Sequence, residues 1–183
     1  MLILVVGPSG AGKDTLLGLA RKALVDDPRF HFVRRVITRP ADAGGEDHEA
    51  VTEAAFARRD FALQWRAHGL SYGIPIGMSD DLAQGRVVVA NVSRSVIAEA
   101  ASRFPTRVLV VTAPAATLAA RLSQRGRETE ADISARLARD VALPGGVPVD
   151  TVMNDGTPEQ GAAGLTALLL SFAGGGTSEA GSA

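Results

Sequence analysis

Short apolar runs alternate along the chain with longer amphipathic segments. Five runs have the length of a β-strand: Leu2 to Val6, Phe32 to Ile37, Val87 to Val92, Arg107 to Thr112 and Asp150 to Met153. Five segments between or after them have helical character: Lys13 to Val25, Ser93 to Ser102, Ala115 to Gln124, Ala131 to Asp140 and Pro158 to Leu170. This alternation predicts an α/β fold with a five-stranded parallel sheet and helices on both faces, and ligands of such folds bind at the carboxyl ends of the strands.

The stretch from 38 to 84 does not alternate as cleanly. It begins with a polar, loop-like segment, Ala41 to Glu49. We therefore expect an inserted subdomain over about 38–84 that receives a second substrate. The remainder predicts a single domain over 1–173, and the small polar residues of 174–183 predict a disordered tail.

Composition narrows the class of protein. With 183 residues, 46% of them hydrophobic, the chain can bury a substantial core. The net charge of −1 gives no global basic field, so we expect no nucleic-acid partner. The chain has no cysteine, which excludes disulfides and thiolate chemistry, and the first apolar run is too short to span a membrane. We expect a cytoplasmic protein that does not bind membranes.

A glycine-rich stretch, Gly7 to Thr15, follows the first predicted strand directly. It matches G-x-x-x-x-G-K-[ST] except at Asp14, where the pattern has the hydroxyl that ligates Mg²⁺, and Thr15 follows at once. Backbone N–H groups, the helix dipole and the lysine together form a cradle for phosphates. We expect ATP with Mg²⁺ here, the metal held through Thr15 and Asp14, and the nucleotide bound by Gly7, Ser9, Gly10, Ala11, Gly12, Lys13, Asp14 and Thr15.

Two groups of arginines stand out beyond this loop. The first is Arg34, Arg35 and Arg39, and the second is Arg121, Arg125, Arg127 and Arg136. A single arginine is most often part of a solvated face, but a cluster downstream of a phosphate loop suits the charge of a transferring phosphoryl group. With Gly126 in its middle, the second group predicts a lid over about 125–131. The three histidines have no ligand spacing, so no further metal centre is expected, and Trp65 is expected in the core rather than as a stacking platform.

Motifs in the expected order resemble those of nucleoside monophosphate kinases of the guanylate kinase type, a group of P-loop NTPases. Gly7 to Lys13 is similar to their phosphate loop, Thr38-Arg39 to the start of T-R-x-x-R-x-G-E, Gly69 to Gly73 to G-x-Y-Y-G, Ile133 to Leu137 to the lid I-x-x-R-L, and Asn154 to Gly156 to N-D-D. The departures lie where that family reads guanine. Asp42 replaces an arginine, Leu63 replaces the guanine-reading glutamate, and Asn91 to Ser93 replaces D-x-D, which argues against guanylate kinase activity.

The chain more closely resembles the ribose 1,5-bisphosphate phosphokinase family of phosphonate breakdown. The resemblance rests on Lys13-Asp14, Val36 to Ala41, Trp65 to Leu70, Tyr72-Gly73, Asn91 to Arg94, Arg125 to Glu128, Arg136 to Arg139 and Asn154 to Gly156. In that family an aspartate follows the lysine of the phosphate loop. The resemblance implies transfer of the γ-phosphate of ATP to ribose 1,5-bisphosphate, with 5-phosphoribosyl 1-diphosphate as the product. It also implies a small sugar bisphosphate as the partner; the oligomeric state, a homodimer included, stays open.

Roles for individual residues follow from the motifs and from this resemblance. We expect Lys13, Arg39, Arg125 and Arg136 to be catalytic. An acceptor phosphate would contact Arg39 and Tyr72, and the sugar or its second phosphate would contact Asn91, Ser93 and Arg94. Besides the phosphate loop, the nucleotide would contact Arg127, Asn154 and Asp155.

Three other functions remain open at this point. The first is guanylate kinase activity. The second is a binding module of guanylate-kinase-like fold without catalysis, although Lys13 and the lid arginines are intact. The third is a gluconate- or shikimate-type kinase, which would not account for Thr38-Arg39 or Tyr72-Gly73.

Overall fold

The computed structural model describes residues 1–43, 46–123 and 143–174. Its strands are β1 (Leu2–Val6), β2 (Phe30–Phe32), β3 (Val36–Ile37), β4 (Glu49–Ala50), β5 (Phe61–Ala67), β6 (Leu70–Pro75), β7 (Val87–Asn91), β8 (Thr106–Thr112) and β9 (Val149–Met153). Its α-helices are α1 (Lys13–Ala23), α2 (Glu53–Phe56), α3 (Met78–Ala83), α4 (Ile97–Arg103), α5 (Ala115–Ser123) and α6 (Pro158–Gly174), with 3-10 turns at Ala41–Ala43 and Arg94–Val96.

The main sheet has five parallel strands in the order β2-β7-β1-β8-β9. All five residues of the central strand β1 are buried, and successive side chains serve opposite faces. On one face, Ile3 lies in a core cluster with Leu16 of α1 and Leu165 of α6. On the other, Leu4 lies in a second cluster with Ile97 of α4. The predicted parallel sheet covered on both faces is confirmed.

The apolar run from Phe32 to Ile37 is not one strand, and that prediction was wrong. The chain pairs with β7 as far as Phe32, and the Val33 amide still donates to the Val89 carbonyl at 2.9 Å. It then leaves the main sheet, and Val36–Ile37 pairs with β4 and β6 instead. Apolar periodicity cannot distinguish one strand from two that lie in different sheets, because both demand buried residues.

A second sheet, in the order β4-β3-β6-β5, forms the inserted subdomain. Its β5–β6 hairpin turns through His68 and Gly69, which have positive φ angles of 53° and 74°. Leu63 and Ile74 from this hairpin belong to the same core cluster as Leu4 of the main sheet. Through that shared cluster the main sheet fixes the position of the subdomain.

Some predicted elements cannot be compared with the structure. The helix expected over Ala131 to Asp140, the lid at about 125–131 and the tail from 175 onward lie outside the described residues. Within the described ranges, no helix is long and apolar enough to cross a membrane.

Candidate active site

The phosphate loop connects β1 to α1 and depends on its glycines. Gly7 and Gly12 have φ angles of 150° and 85°, which favour glycine. A Cβ on Gly7 would collide with the Val111 carbonyl oxygen of β8, and one on Gly12 would collide with the Asn154 side chain. The loop can therefore lie this close to its neighbours only with glycine at both positions.

Lys13 lies at the start of α1, with its ammonium folded back over the loop. Its Nζ donates to the carbonyl oxygens of Gly7 and Pro8, at 2.7 and 3.0 Å. Burial is the main reason why the pKa of Lys13 falls to about 8. The loop thus holds a partly desolvated cation, which an anionic ligand would stabilise.

Charged groups from separate segments surround this ammonium. The carboxylates of Asp14 and Glu46 raise the pKa of Lys13, while the guanidinium groups of Arg35 and Arg94 lower it, all by less than burial does. Arg94 begins the 3-10 turn after β7, and predicted site residue Ser93 caps that turn by accepting from the Ser95 amide at 3.3 Å. A lysine whose pKa is shifted by burial and by specific charged neighbours is a candidate for a functional site.

Asn154, at the end of β9, holds the phosphate loop in place. Its Nδ2 donates to the Ala11 carbonyl at 2.7 Å, and its own amide donates to the Thr112 carbonyl at 2.7 Å. The side chain is buried, and among the described residues its Oδ1 has no hydrogen-bond partner. The neighbouring Asp155 is exposed. Asn154 therefore combines support of the loop with an unused acceptor at its edge.

Beside the loop lies a cavity of about 400 Å³, which we call the loop cavity. Gly10, Gly12, Thr15, Arg121 and Asn154 all line it. The Arg121 Nη1 donates to the Gly10 carbonyl at 3.5 Å, a contact that connects α5 to the loop. The volume of the cavity lies in the range of small-molecule sites, and its lining includes Thr15, one of the two residues that the sequence predicts as metal ligands.

A second cavity, of about 110 Å³, lies alongside α1. We call it the arginine cavity. Apolar side chains of Leu17, Phe32, Val33 and Val89 form part of its wall, and its charged lining residues are Asp14, Arg21, Arg35, Glu46 and Asp47. Asn91 lines it as well and donates from Nδ2 to the Asp14 Oδ1 at 2.8 Å. Asp14 and Thr15 are adjacent in sequence, yet they line different cavities.

Arg35 is a cation of the arginine cavity that several partners hold in place. Its Nε donates to Glu46 Oε2 at 2.8 Å, its Nη2 contacts the same oxygen, and its Nη1 donates to the Asn91 carbonyl at 3.1 Å. The guanidinium carbon lies 5.6 Å from the Tyr72 ring centroid. The sequence identified the arginine group but assigned no role to Arg35. The interruption of an apolar run by Arg34-Arg35 is the signal that could have found it.

Tyr72 is held by two partners. Its ring stacks on Trp65 with centroids 5.3 Å apart and an interplanar angle of 6°, and it also contacts the Arg35 guanidinium. Trp65 itself packs against the second core cluster. The expectation that Trp65 belongs to the core is therefore correct in part, because the same ring also orients a predicted substrate-binding residue.

Arg39 points toward the same carboxylate as Arg35. Its Nη2 lies 3.7 Å from Glu46 Oε1 and 3.5 Å from His48 Nδ1. The His48 ring is buried and bridges the carbonyl oxygens of Glu46 and Arg39, at 2.9 and 3.1 Å. The Arg39 Nε is buried and has no hydrogen-bond partner among the described residues. Two guanidinium groups thus converge on Glu46, one of them with an unused donor.

The site brings together the phosphate loop, Arg39, Tyr72, Asn91, Arg94 and Asn154 in and around the loop cavity and the arginine cavity. The predicted lid residues Arg125, Arg127 and Arg136 lie outside the described residues. Within the part of the chain that is described, no group of three acidic or histidine side chains is placed to hold a metal ion. A metal at this site would therefore depend on hydroxyl and phosphate oxygens rather than on a cluster of carboxylates.

Comparison with known proteins identifies the family. No protein-family model matches the chain. The chain is 56% identical over 170 residues to the ribose 1,5-bisphosphate phosphokinase of Acidiphilium cryptum, a match that covers 92% of each chain. It is 51% identical over 174 residues to that of Methylobacterium radiotolerans, covering 92% of this chain and 96% of the relative.

Among solved structures, guanylate kinase from Anaplasma phagocytophilum is similar in fold. The TM-score is 0.66 over 93% of this chain and 85% of that one, at 16% identity, which shows a shared fold alone. The predicted guanylate-kinase-like P-loop fold is confirmed. Identity above 50% over nearly the whole chain also confirms the kinase family predicted from the motifs. The chain belongs to the ribose 1,5-bisphosphate phosphokinase family.

Proposed function

We propose that this protein transfers the γ-phosphate of ATP to the 1-phosphate of ribose 1,5-bisphosphate. The observation that carries this proposal is the convergence of Arg35 and Arg39 on one carboxylate, beside the phosphate-loop lysine. Paired guanidinium groups around an anion next to a donor site are suited to hold an acceptor that is itself a phosphate. The family membership supports the same acceptor.

The donor phosphates would bind at the phosphate loop. The Lys13 ammonium would turn from the Gly7 and Pro8 carbonyls to the β- and γ-phosphates, and the loop amides would donate to them. Thr15, in the loop cavity, would hold Mg²⁺, which when bound neutralises charge on the phosphates. Asp14, which accepts from Asn91 and lines the other cavity, would act on the metal through water. Asn154 and Arg121 would border the nucleoside.

The acceptor phosphate would replace Glu46 between Arg35 and Arg39. A phosphate oxygen is ionised near neutral pH, so the chain needs to supply no general base. Of the two carboxylates near Lys13, Glu46 is paired with Arg35 and Asp14 accepts from Asn91, so both are engaged by partners. Tyr72, stacked on Trp65, would set the position of Arg35. The missing second arginine of T-R-x-x-R, at Asp42, would be compensated by Arg35 from the preceding segment.

The reaction conserves charge and atoms without a proton transfer. A 1-phosphate oxygen of the acceptor forms a bond to the γ-phosphorus, and the bond from that phosphorus to the β–γ bridging oxygen breaks. The products are ADP and 5-phosphoribosyl 1-diphosphate. The residues of this chain orient the two phosphates in line and neutralise the charge that spreads over the transferring group.

Guanine recognition is disfavoured by the residues of the second sheet. Leu63, which corresponds to the guanine-reading glutamate, is 1% exposed and packs in the core cluster with Ile74. A buried leucine offers no acceptor to the guanine edge. Selectivity for a base requires such polar partners, so GMP should be a poor acceptor.

The test is a side-by-side assay of ribose 1,5-bisphosphate and GMP with ATP, in which ADP and 5-phosphoribosyl 1-diphosphate are measured. We expect kcat/KM for the sugar bisphosphate to exceed that for GMP by several powers of ten. A GMP value equal to or above it would contradict the proposal. An ATP-binding titration separates both kinases from an inactive binding module, which would show no affinity.

Other features of the proposed enzyme stay predictions. We propose that it acts in the cytoplasm, supported by the absence of cysteine and by its use of ATP. A role in phosphonate breakdown, closure of a lid through Arg125, Arg127 and Arg136, and assembly into a homodimer are further expectations. Mass measurement in solution tests the last of these.

A further inference from the structure

A second arginine pair, Arg21 and Arg34, converges on Asp47, and of these three residues Arg21 and Asp47 line the arginine cavity. The Arg21 Nη1 lies 3.2 Å from Asp47 Oδ2, and the Arg34 Nε lies 2.9 Å from Asp47 Oδ1. The Arg34 Nη2 also donates to the His48 carbonyl at 3.0 Å. One carboxylate therefore occupies the point where guanidinium groups from α1 and from the segment after β2 meet.

This cluster belongs to the same cavity as the proposed site for the reacting phosphate. Asp14 and Arg21 both line it and are seven residues apart on α1, which is about 10 Å along the helix axis. Long helical side chains lean toward the N-terminus of their helix, a direction that would bring the Arg21 guanidinium nearer to Asp14. Between them Gly18 leaves the helix surface open, because a Cβ there would meet nothing within 4 Å.

A contribution to the stability of the fold does not explain why Arg21, Arg34 and Asp47 cluster. The side chains of Arg21 and Asp47 are 55% and 54% exposed, and exposed ion pairs contribute little to the free energy of folding. Recognition is a better explanation, because a carboxylate held by two guanidinium groups occupies the place that a phosphate would take. Glu46 and Asp47 are consecutive, so the chain places one carboxylate on each of two arginine pairs.

The two arginine pairs differ in their relation to the donor loop. The Arg35 Nη1 donates to the Asn91 carbonyl, and the Asn91 Nδ2 donates to Asp14, which follows Lys13 directly. Arg21 lies about two turns further along α1. The end with Arg35 is therefore the reacting end. An acceptor with phosphates on both sides of one sugar ring would extend from that end, over the apolar wall, toward Arg21.

We infer that Arg21 and Arg34 form the subsite for the 5-phosphate, the phosphate of the acceptor that does not react. The 5-phosphate displaces Asp47, as the 1-phosphate displaces Glu46. This inference rests on the proposed function. It assigns the selectivity for a bisphosphate to residues outside the phosphate loop and outside the predicted substrate site.

The experiment compares substrates that differ only in this phosphate. For wild type, Arg21→Gln and Arg34→Gln, kcat/KM is measured with ribose 1,5-bisphosphate and with ribose 1-phosphate. We expect kcat/KM of each variant to fall about 10- to 100-fold with the bisphosphate and to change less than about twofold with the monophosphate. Arg29→Gln is the matched control, because Arg29 pairs with Asp27 at the surface and lines neither cavity. It should leave both values unchanged.

Inhibition gives a second readout if ribose 1-phosphate is turned over too slowly to measure. With ribose 1,5-bisphosphate as the varied substrate, the inhibition constant of ribose 5-phosphate should rise about 10- to 100-fold in the two variants, and that of ribose 1-phosphate should stay the same. Asp47→Asn removes the competing carboxylate, so it should lower the KM for the bisphosphate alone.

Two kinds of failure are distinguishable. In the first, Arg21→Gln lowers kcat/KM equally for ribose 1-phosphate and ribose 1,5-bisphosphate, or lowers it for neither. If wild type uses the bisphosphate, either result overturns the subsite assignment, and the proposed function stands. If wild type does not phosphorylate ribose 1,5-bisphosphate, the proposed function fails, and the inference fails with it.

Discussion

The loop cavity and the arginine cavity both reach the first turn of α1, where Thr15 lines one and Asp14 lines the other. The loop cavity is built chiefly from one contiguous segment, and its shape depends on glycine backbone and on Asn154. The arginine cavity is built from side chains of separate segments, and carboxylates of the same chain pair with its arginines. Backbone can hold a phosphate common to many reactions, whereas side chains from several segments can select one acceptor.

The largest expected effect is at Lys13, the lysine of the phosphate loop. Replacing Lys13 with Met keeps the stem and removes the charge, so we expect kcat to fall by about 10³-fold with the fold intact. Steady-state kinetics measure the fall in kcat, and a thermal melt checks that the fold is intact. Lys22→Met, at an exposed position in the last turn of α1, is the control and should be fully active. An unchanged kcat for Lys13→Met would remove the lysine from the mechanism.

The next largest effect should distinguish binding of the acceptor in the arginine cavity from binding of ATP at the phosphate loop. Arg35→Lys retains a cation for Glu46 but loses the fork that contacts Glu46 and Asn91 together. We expect the KM for the acceptor to rise about 10- to 100-fold and the KM for ATP to stay the same. Arg59→Lys, in a surface pair with Glu49, serves as the control. Equal increases in both KM values would mean that Arg35 supports the whole site rather than the acceptor.

The sequence predicts a feature of the two cavities well when the residues that form it are close together along the chain. Leu2 to Val6 and Gly7 to Thr15 are contiguous, so the first strand and the glycine-rich turn from it into α1 were predicted correctly in type and position. Arg35 was missed because its partners, Tyr72 and Asn91, come from β6 and β7. No local pattern shows that these segments meet.

The break between β2 and β3 shows the same limit in the fold. Phe32 and Val36 both belong to apolar segments, and the sequence does not show that they enter different sheets. The charged pair between them marks the break once it is known. Likewise β4 has two residues, Glu49 and Ala50, and neither forms an apolar pattern that would predict a strand.

The pH dependence of kcat/KM should differ between ATP and the acceptor. Because burial lowers the pKa of Lys13 to about 8, the free enzyme loses this cation as pH rises through that value. We expect kcat/KM for ATP to fall about tenfold per pH unit above the pKa. At saturating ATP the phosphates hold the proton on Lys13, so kcat/KM for the acceptor should stay level to higher pH. A level ATP profile between about pH 7 and 10 would contradict this prediction.

A smaller effect tests the support of the donor loop. Asn154→Ala leaves the buried Ala11 carbonyl without its donor, so the free energy of unfolding should fall by about 1–3 kcal/mol. The KM for ATP should rise, and the KM for the acceptor should not. Asp155→Ala, at the exposed neighbouring position, is the control for stability. If Asp155→Ala alone raises the KM for ATP, the nucleotide contact belongs to Asp155 and Asn154 is only structural.

The smallest expected effect uses two glycines that differ only in location. Gly18 in α1 and Gly164 in α6 both have open space where a Cβ would lie, so an alanine at either should stabilise its helix by about 0.5–1 kcal/mol. Of the two, Gly18 lines the arginine cavity and Gly164 does not. Gly18→Ala should therefore raise the KM for the acceptor a few-fold while the KM for ATP stays constant, and Gly164→Ala should change neither. Both variants gain the same helix propensity, so a difference between them does not come from helix stability. A higher acceptor KM in Gly18→Ala alone would show that the acceptor needs space beside α1. Equal KM values in the two variants would mean that the acceptor does not extend along this helix.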